Sequence, residues 1–437
     1  VIVNPKIWIA AALIALSACG ETPPAPTGPV PPTVEAGALR GVARDPRVAR
    51  FYAMRNWRPA WTAEAEAALR GAIGAADRHG LKPDDFLAPL ARARTPEARE
   101  AALSLAALAY GEALARGRVD PARTERIYEI PRPNPDLAAG LDEALGGDLR
   151  RWLDGLAPQD ADYRALSQAY VAANREVAAA RGRATTEQSD RVRTLAVNLE
   201  RRRWLERTVA PTRIDVNTAS TMLVYWRDGS VRDTRRVVVG SAGERATPSL
   251  ATPMFQLVAN PTWTVPKSIG MSARYMARNR IVVRNGRRVQ PSGPHNALGL
   301  VKFDLRNGHA IYLHDTPSKS LFQRDERHAS HGCVRVHDAL AFAEIIARDS
   351  GIFEQWQRAQ RPPRPDAEGE KRYVQRWLPL QREIPVRLLY HTAYVENGRV
   401  VIVRDIYGRD ARVAAALGIG PPVPPPPPPP GPEDVGP

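Results

Sequence analysis

Five of the eight histidines fall between positions 309 and 337, around one cysteine, Cys333. The segment reads HAIYLHDTPSKSLFQRDERHASHGCVRVHDAL. A free thiol has a pKa of about 8.5, so little of it is thiolate at neutral pH, and a histidine within hydrogen-bond reach activates it. The attacked carbonyl then needs donors for its oxyanion, which backbone N–H groups supply. Ser330-His331-Gly332-Cys333 meets both demands. Gly332 permits a tight turn and close approach to a substrate, leaving the N–H groups of residues 331–333 to face an oxyanion. His314 ends an IYLH strand, from which a base is aimed rigidly. The pattern points to acyl transfer, with Cys333 as nucleophile and His314 as general base.

Such a site needs a frame. Residues 213–258 alternate in β fashion, with Asp228-Gly229 as a hairpin turn. Further strands are expected at 280–284, 300–304 and 310–314, an amphipathic helix at 339–349, and a last hairpin at 384–394 and 399–405 around Asn397-Gly398. Residues 211–415 thus read as one α+β, mainly β, unit with a surface loop at 357–371. Upstream, residues 45–183 read as an all-α scaffold. Leu103, Ala106, Ala107, Tyr110 and Leu114 recur at helical spacing, Thr62 caps a helix start, and Gly80 ends one helix before Pro83-Asp84-Asp85 opens the next. A connecting helix falls within 184–210. With 437 residues the chain is multidomain.

The ends carry other signals. Residues 7–16 are an uncharged apolar run behind Lys6, too short to span a bilayer but of the length of an export signal. The run ends in Leu16-Ser17-Ala18-Cys19-Gly20, which resembles the lipobox of bacterial lipoproteins. It implies a signal peptide at 1–18, lipidation of Cys19, and a membrane-anchored protein of the periplasm. Residues 19–44 form a proline-rich tether and 416–437 a proline-rich disordered tail. The net charge of +15 is mostly scattered arginine without zinc-finger, recognition-helix or stacking-aromatic patterns, so no nucleic-acid partner is expected.

His314 followed by Ser330-His331-Gly332-Cys333-Val334-Arg335 resembles the signature of the L,D-transpeptidases, the YkuD-type catalytic domain. NPTWTVPKSI (260–269), GPHNALGLVKF (293–303), IYLHDTPSKSLFQRD (311–325) and TAYVENGRVVIVRDIYGRD (392–410) are similar to the large multidomain branch of that family. FYAMRNWRPAWT (51–62), HGLKPDDF (79–86) and YGEALARGRVDP (110–121) resemble its helical scaffold domain. Only residues 183–191 lie where that branch commonly carries a small peptidoglycan-binding domain.

The resemblance implies attack by Cys333 on the third residue of a peptidoglycan tetrapeptide stem, loss of the terminal D-alanine, and transfer to a second stem as a 3-3 crosslink. Water as acceptor makes the enzyme an L,D-carboxypeptidase, and an envelope protein as acceptor makes it an attachment enzyme. It also implies acylation of Cys333 by carbapenems. No metal or organic cofactor is required.

The neighbours have two readings each. His331 tunes the thiolate or holds the loop. Arg335 fixes the loop or binds a stem carboxylate. Tyr312, on the same strand face as His314, lines the cleft or fills the core, and Trp263 faces substrate or packs. Ser330 orients a histidine or satisfies a turn. Asn296, in the NALG motif, is a substrate-binding candidate with a structural alternative. His328 and His337 are expected to face solvent. Residues 267–292 are a basic lid or a plain surface loop. The rival readings are a zinc hydrolase built on His314, His328, His331, Cys333 and His337, which lacks HExxH and Cys-x-x-Cys spacing, a Cys-His hydrolase for another amide, and a non-catalytic wall-binding lipoprotein.

Overall fold

The computed structural model describes residues 34–266, 269–363, 365, 371–421 and 423. The expected export signal, Cys19 and the expected tether up to residue 33 lie outside the described residues, as does most of the expected tail.

The first part is helical from Ala36 to Arg203. Its helices start where Asp or Thr accepts an orphan backbone N–H: Asp45 from Arg47, Thr62 from Ala65, Thr95 from Ala98, Asp136 from Ala139, Asp148 from Arg151 and Asp160 from Tyr163. The central helix, Pro96–Arg116, is buried on most sides, and Leu103, Ala106, Ala107, Tyr110 and Leu114 all lie in the core. Part of the expected tether is folded. Ala36–Val42 is a helix that seats Leu39 in the helical core. Its residues lie beyond the last proline of the run, so nothing prevents the apolar spacing from being used.

The second part is a β-sheet that closes on itself. Ser249–Ala259 pairs with Arg376–Leu389 on one side and Val301–Leu305 on the other. The circuit continues through Arg213–Asn217, Met222–Arg227, Ser230–Gly240, Val334–Val336 and Leu313–His314 back to Val301–Leu305. The helix Ala339–Asp349 puts Phe342, Ala343 and Ile346 into the enclosed core, with Phe342 against Phe303 and Tyr225. The Asp228-Gly229 turn forms as expected, both residues having positive φ.

Two expectations need correction. The strand expected at 310–314 is only Leu313–His314, because Ala310 adopts φ 51°. The last hairpin is two separate features. Arg376–Leu389 is a long strand inside the closed sheet, while Ala393–Glu396 and Arg399–Ile402 make a small hairpin about Asn397-Gly398. That hairpin packs on helices Ala161–Ala179 and Thr186–Arg203.

The two parts share buried polar contacts. Tyr128–Glu129 adds a parallel strand to the sheet beside Ser249 and Leu250. Glu125 meets Arg409 at 3.0 Å and accepts from Ser249 at 2.6 Å. In Thr186–Arg203, started by a Thr185/Gln188 capping box, Arg201 reaches Asp410 at 2.5 Å, and Arg203 meets Glu200 at 2.6 Å with both side chains fully buried.

Candidate active site

Cys333 lies just before one strand and His314 on its neighbour. Leu313–His314 runs parallel to Val334–Val336, with His314 opposite Arg335, and Val334 N–H donates to the Tyr312 carbonyl at 3.1 Å. Adjacent strands lie about 4.8 Å apart, so Cys333, His314, Tyr312 and Arg335 fall within one small patch.

The loop before Cys333 is held by its own polar groups. Ser330 Oγ donates to the Cys333 carbonyl at 2.6 Å and accepts from Gly332 N–H at 3.1 Å. Thr247 Oγ1 donates to the Gly332 carbonyl at 2.8 Å. Gly332 has φ 126°, a conformation that only glycine adopts without strain. One expected oxyanion donor, the Gly332 N–H, is therefore already engaged by Ser330. The Cys333 N–H carries no such bond among the described residues. Ser330 works as the clasp of the loop.

Cys333 is fully buried, and its thiol points to the Ala310 carbonyl at 3.5 Å instead of the His314 ring. Burial pushes the thiol up to about 12, against the opposing pull of Tyr312, Lys302 and Arg335. His314 is buried too. Burial and then the Arg335 charge push it down to about 3. Its Nδ1 donates to the Asp315 carbonyl at 2.5 Å, which fixes the tautomer and leaves Nε2 as an acceptor. At rest the pair is a neutral thiol and a neutral imidazole. Burial thus disfavours a resting thiolate–imidazolium pair.

A cavity of about 450 Å³ opens beside them, lined by His314, Ser330, His331 and Arg335 on one side. Trp263, Ala297 and Leu298 form a second wall, and Met271, Ser272 and Tyr275 the third. That third wall belongs to residues 267–292, whose described part is ordered structure in place of a plain loop. It comprises the helix Ala273–Arg278, capped by Ser272, and a hairpin, Val282–Arg284 with Arg287–Gln290, which pairs with Trp263–Thr264. Sequence reasoning named the segment but missed Met271, Ser272 and Tyr275. An amphipathic reading of SARYMAR was the available signal.

Trp263 does line the cavity while 7% exposed. Tyr312 packs edge-on to His314, ring centroids 5.7 Å apart, under the Lys302 ammonium, and is not part of the cavity wall. Burial and the neighbouring Cys333 raise its phenol well above the usual range. Asn296 does not reach the cavity. Its amide donates to the Gln290 and Pro291 carbonyls and its oxygen accepts from Leu298 N–H, so it builds the turn that presents Ala297 and Leu298. Gly299 completes that turn with φ 62°, where a β-carbon would run into the Asp315 carboxylate. His331 faces the cavity without a hydrogen bond to Cys333, and burial lowers it.

His328 is not solvent-facing as expected. Its ring bonds Glu326 and the Thr218 carbonyl and packs on Tyr407. His337 packs edge-on to Phe322. The histidines around Cys333 therefore point to different places, and among the described residues they do not converge as metal ligands.

Comparison with known proteins adds to this geometry. Residues 211–374 match the L,D-transpeptidase catalytic domain (YkuD) and residues 46–169 match the Scaffold domain. A Haemophilus influenzae protein named "Putative L,D-transpeptidase" is 29% identical over 264 residues, covering 53% of this chain and 51% of that protein. The chain thus spans about half the length of that relative. Among solved structures, an Enterococcus faecium L,D-transpeptidase mutant aligns at 14% identity and TM-score 0.22, over 32% of this chain and 46% of its own. The E. faecium catalytic domain acylated by ertapenem aligns at 15% and 0.21, over 30% and 85%. By these matches the chain carries a YkuD-type L,D-transpeptidase catalytic domain behind a Scaffold domain.

Proposed function

We propose that the protein is a cysteine-dependent L,D-transpeptidase of peptidoglycan, acting through an acyl-enzyme on Cys333. The observation that carries this reading is the placement of Cys333 just before the strand Val334–Val336 and of His314 on the strand paired with it, next to a cavity that His314 lines, with the tautomer of His314 already set for a base. The donor is a tetrapeptide stem. The thiol turns from Ala310 toward the cavity and attacks the carbonyl of the third residue, while His314 Nε2 takes its proton. The Cys333 N–H stabilises the oxyanion. Collapse breaks the C–N bond, and the proton on His314 goes to the departing D-alanine amine. A side-chain amine of a second stem then loses a proton to His314 and attacks the thioester, giving a 3-3 crosslink and the free thiol. Water in place of that amine gives a tripeptide.

The apolar run at 7–16 and the motif around Cys19 support export, a lipid anchor and action in the periplasm. Incubation with disaccharide-tetrapeptide tests the reading by mass spectrometry. A dimer lighter by one alanine, absent with Cys333→Ala, supports transpeptidation. Tripeptide alone makes the enzyme a carboxypeptidase, and unchanged substrate refutes both.

A further inference from the structure

A second concave surface lies in the helical part, where Pro46–Met54, Asp84–Arg92 and the end of Pro96–Arg116 meet. Its volume is about 410 Å³, and four guanidinium groups and three carboxylates line it. Each carboxylate is already engaged. Glu112 accepts from Arg47 at 2.5 Å, Asp120 from Arg132 at 3.2 Å, and Asp85 from Arg118. The fourth guanidinium, Arg116, donates to the Asn134 amide oxygen at 3.3 Å and meets no carboxylate among the described residues. Beside it, Arg132 donates to the Arg116 carbonyl at 2.8 Å, while its Nε is shut away from water without a partner among the described residues. Burial, and after it the charge of Arg116, push Arg132 below the usual guanidinium range. Two cations thus repel each other at one wall of the cleft.

We propose that this cleft is a second binding site for the wall polymer, holding one peptide stem by a free carboxylate on Arg116 while another stem occupies the catalytic cavity. The identity of the polymer rests on the function proposed above. The lining selects the ligand. A guanidinium takes a carboxylate in a bidentate fork, and an anion placed there relieves the repulsion between Arg116 and Arg132. The carboxylates of Asp85 and Asp120, both exposed, stand at the same cleft and oppose a densely anionic polymer. A stem carries carboxylates together with a side-chain amine, so its amine meets an acidic group where its carboxylate meets Arg116. The position suits a polymer as well. Arg132 follows by three residues Glu129, which pairs with Leu250 in the sheet and bonds His309 at 2.7 Å. His309 precedes Ala310, whose carbonyl receives the Cys333 thiol. Three residues span at most about 11 Å, so the cleft lies near the catalytic unit, and a strand bearing many stems fills both sites.

The test is co-sedimentation of the full chain carrying Cys333→Ala with peptidoglycan sacculi, alone and with Arg116→Gln, Arg116→Glu or Arg116→Lys added. Arg116→Gln is expected to weaken binding about tenfold, Arg116→Glu to weaken it further, and Arg116→Lys to restore part of it. On sacculi whose carboxylates have been converted to amides, Arg116→Gln makes no difference. In the chain that keeps Cys333, Arg116→Gln leaves alanine release from soluble disaccharide-tetrapeptide within about twofold, because a single small donor needs only the catalytic cavity. The unfolding temperature of that variant does not fall, since a repulsion with Arg132 has been removed. Equal sacculus binding by all four chains overturns the proposal, as does an equal loss of sacculus binding and soluble turnover in Arg116→Gln. Binding through Arg116 that persists on amidated sacculi, or that appears on anionic phospholipid vesicles instead of sacculi, overturns it too. If no donor turns over but sacculus binding depends on Arg116, the cleft stands and the proposed reaction falls.

Discussion

His314 stands directly opposite Arg335 on a parallel strand, so a permanent cation adjoins the imidazole proposed as the base. The charge acts in the same direction as burial, and both hold His314 in its neutral form. The base is thereby kept available at pH values where an ordinary histidine would be protonated.

Rates of alanine release should therefore stay flat as pH falls from 7 to about 5, with no decline centred on the ordinary histidine value of about 6.5. Replacing Arg335 by Gln removes a cation and favours the protonated ring, so any acid limb moves to higher pH. Initial rates between pH 4.5 and 8 check this. His314→Gln should lower the rate by about 10² to 10⁴-fold.

Alkylation of Cys333 by iodoacetamide should be slow at neutral pH and still rising with pH at 9, because the fully buried thiol is held up at about 12. Peptide mapping of the Cys333 peptide over time gives the rate. Fast labelling with a plateau near pH 7 would show a preformed thiolate.

Acid should weaken the fold well before the carboxylates titrate. His79 and His314 are both held down at about 3, chiefly by burial, against about 6.5 unfolded. Their contribution is complete above pH 6.5 and is lost as pH falls toward 3, since only the unfolded chain binds the protons. Together they predict a loss of roughly 4 kcal/mol by pH 5, and buried His391 acts in the same direction. Urea unfolding at pH 7.5 and pH 5 measures it, and an unchanged midpoint contradicts it.

The junction between the two parts should be as sensitive as a core. Glu200 supports Arg203, Trp204 Nε1 and Val119 N–H at once, all buried. Glu200→Ala strands the Arg203 charge and should cost about 3–5 kcal/mol. Thermal unfolding compares it with Glu64→Ala, at an exposed helix start, which should change little.

The loop around Cys333 was legible because its structure is local: Ser330 to Arg335 carries its own turn and clasp. The helical half was legible through its caps and its alanine-leucine periodicity. Other parts depend on tertiary context. Arg376–Leu389 hides behind Pro379 and Pro385, which a central strand normally excludes. Pro379 sits at the edge of a shift in the pairing with Ser249–Ala259, which falls between Pro379 and Ile384, while Pro385 stands opposite Pro253. Tyr128–Glu129 is too short to leave a pattern and is a strand only because Ser249 and Leu250 receive it. Asn296 was legible as special but its task was not, since the carbonyls it bonds come from the far end of the segment that walls the cavity. The direction of the thiol was hidden as well, for it depends on the positive φ of Ala310.

The central claim is an acyl-enzyme on Cys333. Its most direct test is rapid quenching with disaccharide-tetrapeptide in the absence of acceptor, followed by mass analysis of the Cys333 peptide. The account predicts that peptide to gain the mass of the disaccharide-tripeptide acyl group, one alanine being released per adduct, and predicts neither event in Cys333→Ala. Alanine released without any adduct on Cys333, or released undiminished by Cys333→Ala, would contradict it.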